Sequence, residues 1–472
     1  MESRSKYLLK NVGILTISNF ASKILVFLLV PLYTSVLSTT EVGTFDLIIS
    51  TVSLLVPILS ANIVDAVMRF AMDQTKEKSE IASIGIKYIG TSSCVAILIV
   101  VLCRMFHLFD AIIGLEMLIV LYFVSYIMNI FLIQFCKGLE RVTDLGIAGV
   151  LGTVFTIAAN IIFLIVFRWG LQGFFAANVL GQAIPALYLL IRVKLWSYLS
   201  SFSINKHLQK EMLLYSVPLI ATTVGWWVNS ASDKYVVAFS CGVGANGLLS
   251  VSYKIPQVIN TFHGIFTQAW QISAIKEYDS EDSSRFYGRS FLILNVILAA
   301  ACSWLILLSK PLGRILYQKE FYVAWQYVPF LLISCVLNSA SGFCGSILSA
   351  KKDSKSMAMS AVYGAAANII MNFLFVWLVG IQGATIATAI SSFIIYYVRK
   401  RAVGSSIFVD RYWIVLLTWI LLCIQALFEI YTPFWWAEVI MMTIMLAINM
   451  NTFKKLWSFS VSFIKRKGTN KG

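Results

Sequence analysis

Charge is what this sequence has least of. Only 12% of its 472 residues are Asp, Glu, Lys or Arg, while 59% are hydrophobic. A water-soluble domain carries about 25% charged residues. The shortage excludes a soluble globular protein and implies repeated membrane crossings. No GxxxxGK[ST] loop is present to cradle ATP phosphates, so a driving force has to come from a gradient or a downhill flux of cargo. There is no HExxH and no pair of carboxylates on a sizeable outer loop, as glycosyl chemistry needs. Eight cysteines, Cys94, Cys103, Cys136, Cys241, Cys302, Cys335, Cys344 and Cys423, form no CxxC pair. Most lie in apolar runs and read as small buried hydrophobes. The three histidines, His107, His207 and His263, are too scattered for a metal site. No small-residue cleavage site follows the basic MESRSKYLLK start, so the first apolar run reads as an uncleaved span.

What the chain has instead is long apolar runs. A bilayer-crossing helix needs about 20 mainly apolar residues. Fourteen stretches meet or approach that length: 12–33, 42–64, 81–102, 112–135, 145–167, 171–191, 212–239, 245–275, 291–308, 323–348, 357–378, 381–398, 412–428 and 434–450. Charges interrupt the seventh and eighth. With the N-terminus inside, alternate loops hold 28 of the 37 Lys and Arg residues. The outer loops hold five: Arg104, Arg168, Lys310, Arg314 and Lys319. That bias places both termini in the cytoplasm. It also accounts for most of the formal charge of +15 without a nucleic-acid partner. The basic tail Lys465-Arg466-Lys467 is either a stop-transfer signal or a contact with anionic membrane lipids.

A repeat organises these runs. Residues 159–173 read ANIIFLIVFRWGLQG, and 367–383 read ANIIMNFLFVWLVGIQG. The offset is 208 at Asn160/Asn368 and 210 at Gln172/Gln382. Asn19-Phe-Ala-Ser-Lys23 is echoed by Asn229-Ser-Ala-Ser-Asp-Lys234, Met68-Arg69 by Ile275-Lys276, and Gly138-Leu-Glu-Arg141 by Ser349-Ala-Lys-Lys352. We therefore expect an all-α integral membrane protein of about 14 helices. Residues 1–205 form an N-terminal six-helix lobe, 206–405 a second, and 406–472 two additional helices with a basic cytoplasmic tail. Six is even, so both copies enter the membrane in the same direction. Such parallel repeats surround a central cavity. Gly170, Gly173, Gly380 and Gly383 permit tight turns. Asn160 and Asn368 either hydrogen-bond neighbouring helices or touch a ligand.

A charge at mid-bilayer costs roughly 2.5–3.5 kcal/mol on insertion scales, so it usually faces a cavity or a partner. Lys23 and its repeat counterpart Lys234 lie deep in their spans; Lys254 lies in the eighth, Asp46 early in the second, and Asp233 beside Lys234. Lys87 and Glu116 sit near span ends, where snorkelling suffices. Lys23, Lys234 and Lys254 are expected to line the cavity for an anionic substrate, with Arg69 and Lys276 at its cytoplasmic mouth. The alternative is that they pair with Asp46 or Asp233 to hold helices together. Trp226 and Trp227 suit either sugar stacking or interfacial anchoring.

In this order the motifs resemble the polysaccharide transporter, or O-antigen flippase, family of the multidrug/oligosaccharidyl-lipid/polysaccharide exporter superfamily. The resembling stretches are Asn19 to Lys23, Leu37-Ser-Thr-Thr-Glu-Val-Gly43, Arg69-Phe70, Lys137-Gly-Leu-Glu-Arg141, Asn160 to Gly173, Asp233-Lys234 through Gly247, and Tyr317-Gln-Lys-Glu320 with Ala324. The resemblance implies a two-lobed transporter of the bacterial inner membrane, not an enzyme. It implies flipping of undecaprenyl-diphosphate-linked oligosaccharides, as in O-antigen of lipopolysaccharide or in capsule. A polysaccharide polymerase and a chain-length regulator are the implied partners. No cofactor is implied; a proton or sodium gradient coupled through Asp46 or Asp233 is an option. The competing readings are a small-molecule antiporter of the same superfamily and a membrane-embedded polymerase. The first favours acidic cavities and the second a long catalytic loop.

Overall fold

The computed structural model describes residues 27–107, 113–199, 204–276, 282–432 and 434–454. Those residues form helices joined by short turns, with no strand among them. In chain order the helices are α1 (Val30–Val36), α2 (Thr39–Leu59), α3 (Ile63–Ala71), α4 (Lys78–Met105), α5 (Glu116–Gly138), α6 (Val142–Asn160), α7 (Gly170–Val193) and α8 (Leu195–Leu199). They continue with α9 (Lys206–Cys241), α10 (Val243–Ser252), α11 (Pro256–Lys276), α12 (Ser283–Leu307), α13 (Ser309–Leu316), α14 (Val328–Ala350), α15 (Ser354–Val379), α16 (Ile381–Val403), α17 (Tyr412–Tyr431) and α18 (Trp435–Ile448). Among the described residues ten helical stretches are long and apolar enough to cross a membrane, and α18 is a shorter apolar helix. The chain is a multi-pass membrane protein. Of the fourteen expected spans, most of the first lies outside the described residues.

Two expected spans are broken. The second splits into α2 and α3 at Ser60–Asn62, where Ala61 and Asn62 take left-handed φ values of 52° and 50°. The eighth splits into α10 and α11, because Pro256 offers no N–H and opens a new helix. The seventh is the 36-residue helix α9.

The chain divides into two compact units, Met1–Ala231 and Ser232–Gly472, and the division falls inside α9. The six-span copies proposed above rest on sequence duplication, not on this division. In the first unit the early turns of α9 bond to α4, to the turn before it and to the break between α2 and α3. Lys76 meets Glu211 at 2.7 Å. Their hydrogen bond draws the amine above, and the carboxyl below, its ordinary range. Gln209 donates to the Tyr88 hydroxyl at 2.9 Å, and Ser216 to the Ala61 carbonyl at 2.8 Å. The motif 37–43 becomes a capping box: the Ser38 hydroxyl accepts from the Glu41 amide, and Glu41 accepts from the Ser38 amide at 2.8 Å.

In the second unit α14 is the central helix; 89% of its most apolar window is buried. The two additional helices dock through buried polar bonds. Trp419 donates to Asn295 at 3.1 Å, Ser303 to Gln425 at 2.6 Å, and Asn449 to Thr418 at 3.0 Å. Inside apolar surroundings such pairs fix which faces meet.

The repeat glycines divide their work. Gly170 and Gly380 take φ of 56° and 63°, which L-residues avoid. Gly173 and Gly383 permit close approach instead. A Cβ on Gly383 would lie 2.1 Å from the Phe375 carbonyl oxygen, whereas one on Gly173 would meet its nearest neighbours at 3.0 Å. Gly383→Ala is therefore expected to destabilise the second unit by about 1–3 kcal/mol, the usual scale for forced overpacking. Gly173→Ala should lose less. Thermal unfolding of the two purified variants in detergent checks the order.

Candidate functional site

Three consecutive residues of α9 begin the site. Successive helical residues point about 100° apart, so Ser232, Asp233 and Lys234 serve three faces. The Ser232 hydroxyl donates to Asn368 Oδ1 on α15 at 2.9 Å. Asp233, 4% exposed, accepts a short hydrogen bond from the Tyr253 hydroxyl. Its other oxygen accepts from the Lys234 backbone amide at 2.9 Å. Lys234 itself is half-buried.

The break in the eighth span makes this contact. Tyr253 and Lys254 occupy the turn between α10 and α11, closed by Lys254 N–H to the Val251 carbonyl at 3.0 Å. Tyr253 thus reaches Asp233 on α9, with the Thr388 hydroxyl of α16 also in reach. Lys254, expected inside a continuous span, sits half-buried in that turn next to the tyrosine that caps the carboxylate. The polar chain runs on across α15 and α16. Asn368 donates to Ser391 at 3.2 Å, and Asn372 donates to Asn368 at 2.9 Å. Asn368 therefore bridges neighbouring helices, one of its two expected roles. Asn160, its counterpart, donates to the Thr156 carbonyl of its own helix at 2.7 Å. Directly after Asn160 the helix loosens into a π-helical stretch, Ile161–Val166.

In the first unit Asp46 is half-buried on α2, near enough to Tyr33 to act on it electrostatically. Arg69 is exposed in the last turn of α3. Lys23 and the Lys276 side chain lie outside the described residues. Trp227 donates to the Ser50 carbonyl at 2.8 Å while Trp226 is exposed. Thus the structure brings Asp233 to the Lys254 turn, while Asp46 and Arg69 occupy different helices of the first unit.

Sequence reasoning missed two groups. Asp65 accepts from Asn62 at 3.0 Å and from Gln134 at 3.1 Å, just past the break between α2 and α3. Arg399, one residue beyond the expected span 381–398, lies inside α16 and is only 7% exposed. It donates to the Ser360 hydroxyl at 2.9 Å and the Ser341 carbonyl at 3.3 Å. Gly345 makes room for it, since a Cβ there would meet the guanidinium at 2.9 Å. The glycine spaced 54 residues before the arginine gave no local signal.

Known proteins share this architecture. A structure of the lipid II flippase MurJ in an inward closed conformation superposes with a TM-score of 0.70. The match covers 95% of this chain and 99% of that one at 15% identity. An inward-facing multidrug resistance MATE transporter of the MOP superfamily gives 0.62 over 83% of this chain and 95% of that one, also at 15% identity. A Vibrio cholerae MATE transporter, VcmN, gives 0.54 at 14% identity over 85% and 98% of the respective chains. At these identities the likeness is one of fold. No curated protein matches the chain. The sequence itself carries the finer statement, because the family described as polysaccharide biosynthesis protein matches residues 8–271, more than half of the chain. By that match this chain belongs to the polysaccharide biosynthesis protein family.

Proposed function

We propose that this protein is a flippase, moving undecaprenyl-diphosphate-linked oligosaccharide units from the inner to the outer leaflet of the bacterial cytoplasmic membrane. The carrying observation is the coincidence of a polysaccharide biosynthesis family match with a fold like that of a lipid II flippase along nearly the whole chain. Lys23, Lys234 and Lys254 supply positive charge to a cavity between the two six-span copies, and Arg69 and Lys276 attract the substrate at its inner mouth. A lipid diphosphate concentrates negative charge in its headgroup, so cationic side chains in a low-dielectric chamber bind it strongly. Transport follows alternating access as the copies rock. Both termini lie in the cytoplasm, as the loop charges require. The polymerase and chain-length regulator that use the flipped unit are its partners.

The small-molecule antiporter reading draws on the MATE likeness. The flippase reading is preferred because the MurJ likeness extends over more of this chain, 95% against 83%. A deletion strain decides between them. It should accumulate a lipid-linked oligosaccharide on the inner leaflet, identified by mass. Normal surface polymer with no such intermediate would defeat the proposal.

Lys23→Ala and Lys234→Ala should each reduce surface polysaccharide about tenfold or more, the factor that a loss of 1.4 kcal/mol in substrate binding gives. Lys→Arg at either position keeps the charge and should be milder. Immunoblots of the membrane fraction, run beside the polymer assay, separate lost transport from lost protein.

Asp233 is the proposed ion-coupling group in the second unit, with Asp46 in the first. Asp233→Asn keeps the shape and the Tyr253 contact but removes the charge. In vesicles it should abolish the response of transport to an imposed proton or sodium gradient. Wild-type transport indifferent to both gradients would remove the coupling role.

A further inference from the structure

The last two spans contain a cluster that the transport scheme leaves unused. Glu429 in the final turn of α17 is 2% exposed, and Glu438 in the first turn of α18 is 1% exposed. The two carboxyls are within hydrogen-bonding reach of one another. Among the described residues the buried Oε2 of Glu438 has no hydrogen-bond partner. From α13, Lys310 approaches Glu429 Oε2 at 3.5 Å and the Thr432 carbonyl at 3.5 Å, and its ammonium lies 4.8 Å from the centre of the Trp325 ring. Among the described residues Glu429 and Lys310 are the charged groups that act on Glu438. The α12 face one turn deeper presents the uncharged Ser303, bonded to Gln425.

Two features place a proton here. One is charge. Two ionised carboxylates in contact, shielded from water, repel strongly, and one ammonium offsets only one of them. With a single shared proton the cluster is neutral. The other is the Ser309 hydroxyl. It has one hydrogen, yet its oxygen lies 2.7 Å from the Ile306 carbonyl and 3.0 Å from Glu429 Oε1. The carbonyl can only accept, and it is the closer partner, so it takes the serine hydrogen. The contact with Glu429 is then satisfied if the carboxyl donates to the serine oxygen.

The geometry points to a proton-binding site formed by Glu429 and Glu438: the pair binds one proton, carried by Glu429 toward Ser309, while Lys310 balances the charge left on Glu438. It lies on the side that the loop charges assign to the outside. Its ligand is a proton, not a metal ion, because the lysine occupies the place of a second positive charge. Loss of the proton leaves two like charges against one cation. The site therefore ties α17 and α18 to α13 in a manner that depends on external pH. This inference does not use the identity of the transported substrate.

Infrared difference spectroscopy of the purified full-length protein in detergent tests it. At neutral pH, wild type minus Glu438→Gln should show the C=O stretch of a protonated carboxyl, shifted in heavy water and lost as the pH is raised. Glu429→Gln serves as an independent second variant. Lys310→Met removes the balancing charge, so a second proton should bind and the band should grow about twofold at the same pH. A difference spectrum containing only ionised carboxylate bands in both glutamine variants would overturn the proposal. So would a spectrum that responds to added sodium and not to pH, or a band unchanged by Lys310→Met.

Discussion

A buried carboxylate surrounded by apolar helices has no water to solvate it, and much of the second unit is arranged around that constraint at Asp233. Leaving such a group unanswered costs far more than leaving it bonded gains. The answer comes from the Tyr253 hydroxyl and from the backbone at Lys234. Tyr253 reaches Asp233 because Pro256 restarts the helix and leaves a turn at that level. The same turn fixes where Lys254 sits. The interruption of the eighth span is thus part of how the unit accommodates its acid. Non-helical backbone at membrane depth is tolerated where protein satisfies its polar groups, as the bond from Lys254 N–H to Val251 does here.

The order of the described spans was legible because hydropathy averages over about 20 residues. The same averaging hid the breaks. Neither Ser60–Asn62 nor Tyr253–Ile255 lowers the apolar content enough to register, so both spans read as continuous and Lys254 was placed within a helix. Positional habits misled at Arg399. A basic residue next to Lys400 and Arg401 reads as a loop, yet α16 runs on to Val403 and turns Arg399 inward. Glu429 escaped notice for a similar reason, since an acid near the end of a span normally reaches water. The glycine pattern of the repeat was legible only as a turn signal, which fits Gly170 and Gly380 but not Gly173 and Gly383. A positive φ and a close backbone approach both demand the absence of Cβ, and both copies show the same division between the two glycines.

The copies have not kept the same internal bonding. Asn368 is a hub joining Ser232, Ser391 and Asn372, whereas Asn160 closes a bond within its own helix and is followed by a π-helical stretch. A π-helix has looser, less favourable bonding and tends to persist where it is useful. The hub belongs to the unit that contains Asp233; Asp46, on α2 of the first unit, is only half-buried. The difference at this position is one of reach: Asn368 ties three helices together, whereas Asn160 bonds within its own.

Fold alone does not choose the cargo, since flippases and drug transporters share this architecture at similar identity. The choice has to come from chemistry inside the spans. An antiporter for organic cations needs acids open to its chamber. Here the acid best placed in the second unit is covered by a tyrosine, and its neighbour along the chain is a lysine that is only half-buried. Covering the acid removes an attraction for cations. If these groups face the transport path, as proposed above, they favour a ligand that is compact and multiply negative. A diphosphate joined to a lipid meets both conditions, and its polyprenyl tail can stay in the bilayer while the charged head crosses.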